Sequence, residues 1–225
     1  MSAVPSDLRQ VLVAGATGLV GRCLVQQLCA DPGVGTVHAL VRKPLPMQHP
    51  KLHCHVVDFA ALPSLPPLHE AYLALGTTIK VAGSQAAFRA VDFDANLAVA
   101  QAAHAAGAQR LGLVSALGAD ARSAVFYSRV KGELEDTLMA EPWAGLVIAR
   151  PSMLAGDRAS LGQPHRRGEA LWGRVDAALG PLIPKRWRAI AAADVAAALA
   201  QAVPRARGTQ VLSSAAMQGA AARAG

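Results

Sequence analysis

The sequence predicts an α/β protein whose sheet is doubly wound, mostly parallel and covered by helices on both faces. Short apolar runs that read as strands alternate with longer segments of helical periodicity. The first run, residues 11–14, is followed at once by a glycine-rich turn and a periodic helix. A hydrophobic fraction of 52% in 225 residues suffices for a sizeable core and argues against disorder.

The glycine-rich turn reads Gly15-Ala-Thr-Gly-Leu-Val-Gly21, with glycine at every third position. In such a strand–turn–helix unit the first glycine permits a tight turn, the second lets the backbone approach a pyrophosphate, and the third lets the helix pack closely. The free N–H groups at the helix N-terminus then face the phosphates. The stretch therefore predicts a Rossmann-type dinucleotide-binding unit, and an ordinary strand-to-helix turn is the alternative.

Two cations, Arg42 and Lys43, follow the second predicted strand, residues 36–41. Sites that prefer NAD place an acidic residue near this strand end to bind the ribose 2′-hydroxyl, whereas an arginine suits a 2′-phosphate. Because cations stand here in place of an acid, the sequence favours NADP over NAD. A solvated basic turn is the alternative.

The third predicted strand, residues 52–58, ends at Asp58; together with the next residue, Phe59, it can flank an adenine ring. Within this strand His53 and His55 point to one face. Zinc needs several ligands that converge tetrahedrally, and two histidines on one strand do not supply them. We therefore predict no metal site.

The fourth predicted strand, residues 71–76, opens into Thr77 and Thr78. Its carboxyl end is expected beside the first strand, at the switch point where doubly wound sheets bind ligands. Gly76 lets backbone lie near the cofactor, and the threonine hydroxyls can bond to phosphate or ribose. A plain turn capped by threonine is the alternative.

The remaining elements continue the alternation within one predicted domain, residues 1–225. The sixth strand ends in Arg150-Pro151-Ser152, and a seventh is expected at the sheet edge. The predictions are a helix at 88–106, a strand at 111–115, a helix at 125–140, a strand at 145–149, a helix at 190–203 and the edge strand at 209–212.

Tyr127 and Lys131 are four residues apart and therefore share one face of the predicted helix. A nearby ammonium favours the phenolate, so Tyr127 can pass a proton to or from a substrate oxygen. Lys131 can also hold the nicotinamide ribose hydroxyls. Ser115, at the end of the preceding strand, can orient the substrate oxygen. The hydride itself belongs to the cofactor, and a solvated pair on an exposed helix is the alternative.

Four stretches together resemble the atypical short-chain dehydrogenase/reductases, in particular the NAD(P)-binding branch of NmrA-like proteins and the Tat-interacting oxidoreductase. They are Gly15-Ala-Thr-Gly-Leu-Val-Gly21, Leu75-Gly-Thr-Thr78, Tyr127-Ser-Arg-Val-Lys-Gly-Glu133 and Arg150-Pro151. The resemblance implies a Rossmann core with a small C-terminal substrate region, here about 154–188. It also implies an NADP(H) site formed by Gly15, Thr17, Gly18, Leu19, Val20, Arg42, Asp58, Leu75, Gly76, Tyr127 and Lys131. Adjoining positions complete the predicted cofactor contacts: Ala16, Gly21, Lys43, Phe59, Thr77, Thr78, Pro151 and Ser152.

The chain departs from the family pattern at two positions. Many extended relatives carry an asparagine of a proton relay where this chain has Asp92, and many have a run of serines where Ser115 is followed by Ala116. Either Ser115 serves alone or the serine role is lost. Two functions follow: an NADP(H)-dependent oxidoreductase acting on a small carbonyl or alcohol, and a non-catalytic NADP(H)-binding redox sensor or regulator.

Composition sets the expected surroundings and partners. Three cysteines with no paired spacing indicate free thiols, and with no signal-peptide pattern they predict a cytoplasmic protein. The net charge is +7, most of it in residues 150–207. Without interleaved aromatics or a nucleic-acid motif, this basic segment reads as solvated surface. The expected partner is an unidentified small-molecule substrate, with no membrane association and a monomeric or homodimeric state.

Overall fold

The computed structural model describes residues 8–155 and 187–223. Its strands are β1 (Arg9–Ala14), β2 (Val34–Val41), β3 (Leu52–Val56), β4 (Glu70–Leu73), β5 (Arg110–Val114), β6 (Gly145–Arg150), β7 (Leu154–Ala155), β8 (Ile190–Ala191) and β9 (Gly208–Ser213). Seven of them form a parallel sheet in the order β3-β2-β1-β4-β5-β6-β9, and β7 pairs with β8 separately. The Rossmann-like α/β fold predicted from the sequence is therefore confirmed.

The helices are α1 (Leu19–Ala30), α2 (Ile79–Ala82), α3 (Gln85–Arg89), α4 (Asn96–Ala105), α5 (Phe126–Met139), α6 (Ala192–Ala202), α7 (Ser214–Met217) and α8 (Ala220–Arg223). A π-helical turn, Ala90–Ala95, joins α3 to α4, and a short 3₁₀ turn, Val203–Arg205, follows α6. Within the described ranges, no helix combines the length and the apolar character needed to cross a membrane.

The strand order reverses at β1, which pairs with β2 on one side and with β4 on the other. In doubly wound sheets this reversal opens a crevice at the carboxyl ends of the strands, where ligands bind. The loops that follow β1 and β4 therefore meet at the switch point. At the far edge β9 runs parallel to β6, as predicted for the seventh strand.

Side chains from the two faces of the sheet form two cores. Alternation along β1 sends Val11 and Val13 to one face and Leu12 and Ala14 to the other. The first core includes residues of α1 and α6, and the second includes residues of α4 and α5. Two layers of helices thus hold the sheet between them and fix the loops at its carboxyl edge.

Some predicted elements differ in detail. Within the helix predicted at 88–106 the backbone remains helical but takes a π-helical turn at Ala90–Ala95, and the side chains of Asp92 and Asn96 are buried. The helix predicted at 190–203 begins two residues later, because Ile190 and Ala191 pair with β7. Of the predicted substrate region at about 154–188, residues 156–186 lie outside the described part of the chain.

Candidate active site

The turn between β1 and α1 can be built only with glycine at two positions. Gly15 has φ of +88°, and a Cβ atom there would lie 2.4 Å from the carbonyl oxygen of Ala74. A Cβ atom at Gly21 would lie 2.1 Å from the carbonyl oxygen of Gly15. The third glycine, Gly18, donates its N–H to that same oxygen at 2.9 Å. The turn is therefore a tight cradle that larger residues would fill.

Helix α1 begins at this cradle with its N-terminus uncapped by any side chain. Its first turn holds no acidic residue. Thr17 is exposed, whereas Ala16 and Val20 are buried in the core below. Unsatisfied N–H groups at a helix N-terminus bind anions, so the cradle and the helix end fit the pyrophosphate of a dinucleotide.

The ends of β2 and β3 lie at one edge of the crevice, because Val41 and Val56 are partners in the parallel ladder. Arg42 and Lys43 are exposed directly after β2, and neither forms an ion pair with a described residue. The exposed Asp58 accepts a hydrogen bond from its own loop, the Ala60 N–H. This edge therefore offers two cations to a ligand.

The loop after β4 is held from below by two buried side chains. The Thr77 N–H donates to Asp92 Oδ2 at 2.8 Å, and Asn96 Nδ2 donates to the Leu75 carbonyl oxygen at 3.3 Å. Thr78 caps α2, its hydroxyl accepting the Val81 N–H at 3.1 Å. Thr78 therefore fits the alternative of a turn capped by threonine. Gly76, in the same loop, is exposed at the crevice.

Helix α5 brings Lys131 to the same loop and carries Tyr127 one turn earlier. The Lys131 ammonium lies 2.8 Å from Asp92 Oδ1, and it is 3.8 Å from the position a Cβ atom of Gly76 would take. Tyr127 is half-buried, with its ring 5.5 Å from that of Phe88. Because β4 ends at the switch point, the arrangement places the ammonium beside the crevice that the cradle lines.

Ser115 lies within a buried network under the end of β6. Its hydroxyl donates to the carboxylate of Glu135, which also receives the guanidinium of Arg150. This hydrogen bonding to Glu135 raises the pKa of Arg150 above its usual value. The hydroxyl of Ser115 is thus engaged inside the protein, and its role in orienting a substrate stays a prediction.

The two residues after Arg150 lie between β6 and the C-terminal segment. Pro151 is buried, and Ser152 donates its hydroxyl to the Arg188 carbonyl and lies 2.9 Å from the Ser214 hydroxyl. Contacts of these two residues with a cofactor stay predictions.

Sequence reasoning missed the buried partners of the candidate residues. The sequence marks Asp92 only as a departure from the family pattern, and no motif in the sequence points to Asn96 or Glu135. A signal existed: these polar residues occupy positions that helical periodicity assigns to the core. Because a buried polar group requires a hydrogen-bond or ion-pair partner, each of these three residues predicts such a partner in the interior.

The sheet order, the glycine cradle and the crevice define a Rossmann protein built to bind NAD(P). Residues 15–205 match the model of the NAD(P)H-binding family. The chain therefore belongs to this NAD(P)H-binding family.

Two curated relatives each cover about three quarters of the chain. Protein FMP52, mitochondrial, of Coccidioides immitis is 34% identical over 191 residues, covering 78% of this chain and 76% of the relative. Its namesake in Emericella nidulans is 32% identical over 183 residues and covers 77% of each chain. The cytoplasmic prediction is wrong in the light of these mitochondrial names. Free cysteines report redox conditions and do not identify a compartment.

Solved structures share the fold at low sequence identity. MoeE5 in complex with UDP-glucose and NAD superposes with a TM-score of 0.65 at 19% identity, covering 91% of this chain and 76% of that one. WbmG of Bordetella bronchiseptica, in complex with NAD, gives 0.63 at 16% identity, covering 95% and 75%. The reductase domain of PhqB from Penicillium fellutanum gives 0.62 at 17% identity, covering 92% and 68%.

Proposed function

We propose that the protein is an NADP(H)-dependent oxidoreductase that transfers a hydride to or from a small carbonyl or alcohol substrate. One observation carries the proposal: the ammonium of Lys131 is fixed beside the exposed Gly76 at the switch point, one helical turn from Tyr127. This position of Lys131 supports a proton-transfer pair that works beside the dinucleotide cradle.

Each candidate residue has a distinct task in this proposal. Tyr127 donates a proton to the carbonyl oxygen during reduction and takes it back during oxidation. Lys131 binds the ribose hydroxyls of the cofactor. Arg42 and Lys43 bind the 2′-phosphate, for which a guanidinium is suited. The bound cofactor supplies or accepts the hydride.

Cofactor choice is tested by titrating the protein with NADPH and NADH and following fluorescence or heat. We expect tighter binding of NADPH, because only NADPH carries the 2′-phosphate. Arg42→Ala should weaken NADPH binding about tenfold, corresponding to one lost charge-assisted contact of about 1.4 kcal/mol, and should leave NADH binding nearly unchanged. Equal affinities in the native protein would contradict the NADP preference.

Turnover is tested by screening small aldehydes, ketones and alcohols, with Tyr127→Phe as the matched variant. This change removes one hydroxyl from a half-buried ring, so the fold and the cofactor affinity should persist. We expect a loss of at least about a hundredfold in kcat, the usual contribution of a general acid–base group. Unchanged turnover in Tyr127→Phe would remove the phenol from the mechanism.

A second candidate function is that of an NADP(H)-binding regulator. The engagement of the Ser115 hydroxyl by Glu135, with Ala116 next to it, favours this alternative. A regulator should bind a protein partner in a manner that depends on NADPH and is unaffected by Tyr127→Phe. Pull-down experiments with and without NADPH, read beside the substrate screen, separate the two functions.

A further inference from the structure

Three histidines, His38, His53 and His55, form a cluster on one face of the β2–β3 edge of the sheet. His38 lies on β2, and its ladder partner on β3 is His53. The Nδ1 atom of His38 lies 3.0 Å from Nε2 of His55, and the ring centroids of His53 and His55 lie 5.8 Å and 5.2 Å from that of His38. The proposed function uses none of these imidazoles.

The contacts of the histidine cluster suit neutral rings. His38 is 7% exposed, and its Nε2 atom is buried without a hydrogen-bond partner among the described residues. When His38 and His55 are both protonated, the two nitrogens that meet are both donors, so their hydrogen bond cannot form. Burial, and then His55 and His53, lower the pKa of His38 to about 4. Burial and His53 also lower the pKa of His55.

Within the described ranges, no acidic side chain acts on His38 or His55, whose neighbours in charge are the other members of the cluster. On β1 the ladder partner of His38 is Leu12. Titratable groups on the neighbouring elements lie on the opposite face of the sheet or have their own partners. They are Cys29 of α1 and Cys54 of β3 on the opposite face, Lys51, which donates to the Asp31 carbonyl oxygen, Asp58, which accepts the Ala60 N–H, and His104 of α4, whose ring packs on that of Trp143.

Strand β3 links the cluster to the crevice. It is an edge strand, paired with β2 on one side only, so it can open while the central strands stay intact. Three residues after His55 the chain reaches Asp58, the predicted adenine contact, and the intervening Val57 N–H donates to the Val41 carbonyl oxygen at 2.9 Å. Opening of β3 would therefore move Asp58 away from the edge of the crevice.

We propose that the histidine cluster is an acid-sensitive contact that holds β3 on β2, and that its protonation opens this edge strand and weakens dinucleotide binding. The effect on binding rests on the proposed function. The closed cluster resists protonation, whereas the imidazoles of an opened strand take up protons at their usual pKa. Below about pH 6.5, protons therefore favour the open strand, and the closed strand is favoured at neutral pH.

The opening of β3 can be measured without any ligand by hydrogen exchange of backbone amides, corrected for the intrinsic effect of pH. Exchange through local opening does not depend on low concentrations of urea, whereas exchange through global unfolding does. We expect the hydrogen-bonded amides of residues 52–56 to exchange by local opening. Their protection should fall at least about tenfold from pH 7 to pH 5 and then be almost absent.

Two variants show whether the cluster is responsible. His38→Leu should remove most of the fall in protection, because it removes the buried imidazole. His49→Gln, at an exposed histidine outside the cluster, should retain it. If His38→Leu does not fold, His55→Gln provides the same test, since it removes the imidazole that contacts His38.

The effect on binding is measured by calorimetric titration with NADP⁺, which is stable in acid, at pH 7 and pH 5. The 2′-phosphate also takes up a proton in this range, so binding should weaken in every protein. We expect the weakening in the native protein and in His49→Gln to exceed that in His38→Leu by at least about threefold.

Three results would decide against one part or another. Exchange of the β3 amides only through urea-dependent unfolding, or an equal fall of protection in His38→Leu, would overturn the inference. Equal weakening of NADP⁺ binding in all three proteins would overturn its link to the crevice. Absence of NADP⁺ binding at pH 7 would reject the proposed function instead, and the β3 exchange would then decide by itself whether the cluster holds the strand.

Discussion

At the scale of single residues, glycine occupies the three positions of the first turn for different physical reasons. Gly21 must lack a side chain because a Cβ atom would overlap the Gly15 carbonyl oxygen at 2.1 Å. At Gly18 the same atom would lie 3.3 Å from that oxygen, which a small shift accommodates. Gly18 is therefore dispensable for the turn itself but faces the proposed pyrophosphate. Sequence spacing identifies the motif. Only the distances show that Gly21 is needed for packing of the turn, whereas Gly18 is needed for the proposed pyrophosphate contact.

Two alanine variants test whether Gly21 serves stability and Gly18 serves binding. Gly21→Ala should lower the free energy of unfolding by about 3 kcal/mol, the upper range for overpacking a tight contact. Gly18→Ala should stay within about 1 kcal/mol of the native protein and weaken NADPH binding by at least about tenfold. Urea unfolding and fluorescence titration measure the two effects. A stable Gly21→Ala protein would contradict the cradle geometry.

At the scale of elements, the β2–β3 edge shows what strand pairing adds. The sequence predicts that His53 and His55 share one face, and the ladder confirms it by placing both rings within 6 Å of His38. His38 is 7% exposed, and its Nδ1 lies 3.0 Å from His55 Nε2. Burial, and then the neighbouring His55 and His53, lower the pKa of His38 to about 4. Only the pairing of β2 with β3 brings His38 into contact with His53 and His55.

The depressed pKa of His38 makes stability depend on pH. Between about pH 6.5 and pH 4 the unfolded chain takes up a proton that the folded protein does not, so stability falls as pH falls through this window. We expect a loss of about 2 kcal/mol between pH 7 and pH 5 from this group.

Urea unfolding at the two pH values measures this loss. His38→Leu should remove most of it, whereas His49→Gln, at an exposed histidine outside the cluster, should retain it. An equal loss in the native protein and in His38→Leu would show that His38 does not titrate in this way.

At the scale of the whole molecule, the crevice is assembled from both sides of the strand reversal. The glycine cradle comes from β1 and α1, the two cations follow β2, and the Tyr127–Lys131 helix packs over the β4 side. Under the proposed function, a dinucleotide bound there would contact segments far apart in the sequence. Binding should therefore stabilise the whole sheet against unfolding.

This linkage predicts a thermal shift. At a hundredfold excess over its Kd, NADPH should add about 2.7 kcal/mol to the free energy of unfolding and raise Tm by several degrees. NADH at the same concentration should add less, and Arg42→Ala should make the two shifts similar. A Tm that does not respond to either dinucleotide would contradict binding at the crevice.

The sequence by itself determined the features that depend on neighbours along the chain. Hydrophobic periodicity gave the alternation of strands and helices, spacing gave the glycine turn, and a four-residue interval put Tyr127 and Lys131 on one helix face. Local geometry suffices for these features, because strand and helix repeats are properties of the backbone.

Only the tertiary structure decided which polar groups meet in the interior. The approach of α5 to the π-helical turn pairs Lys131 with Asp92, and its packing on β5 and β6 brings Glu135 to Ser115 and Arg150. Such contacts join segments distant in sequence, and the cost of burying an unpaired polar group selects them only when the whole chain packs.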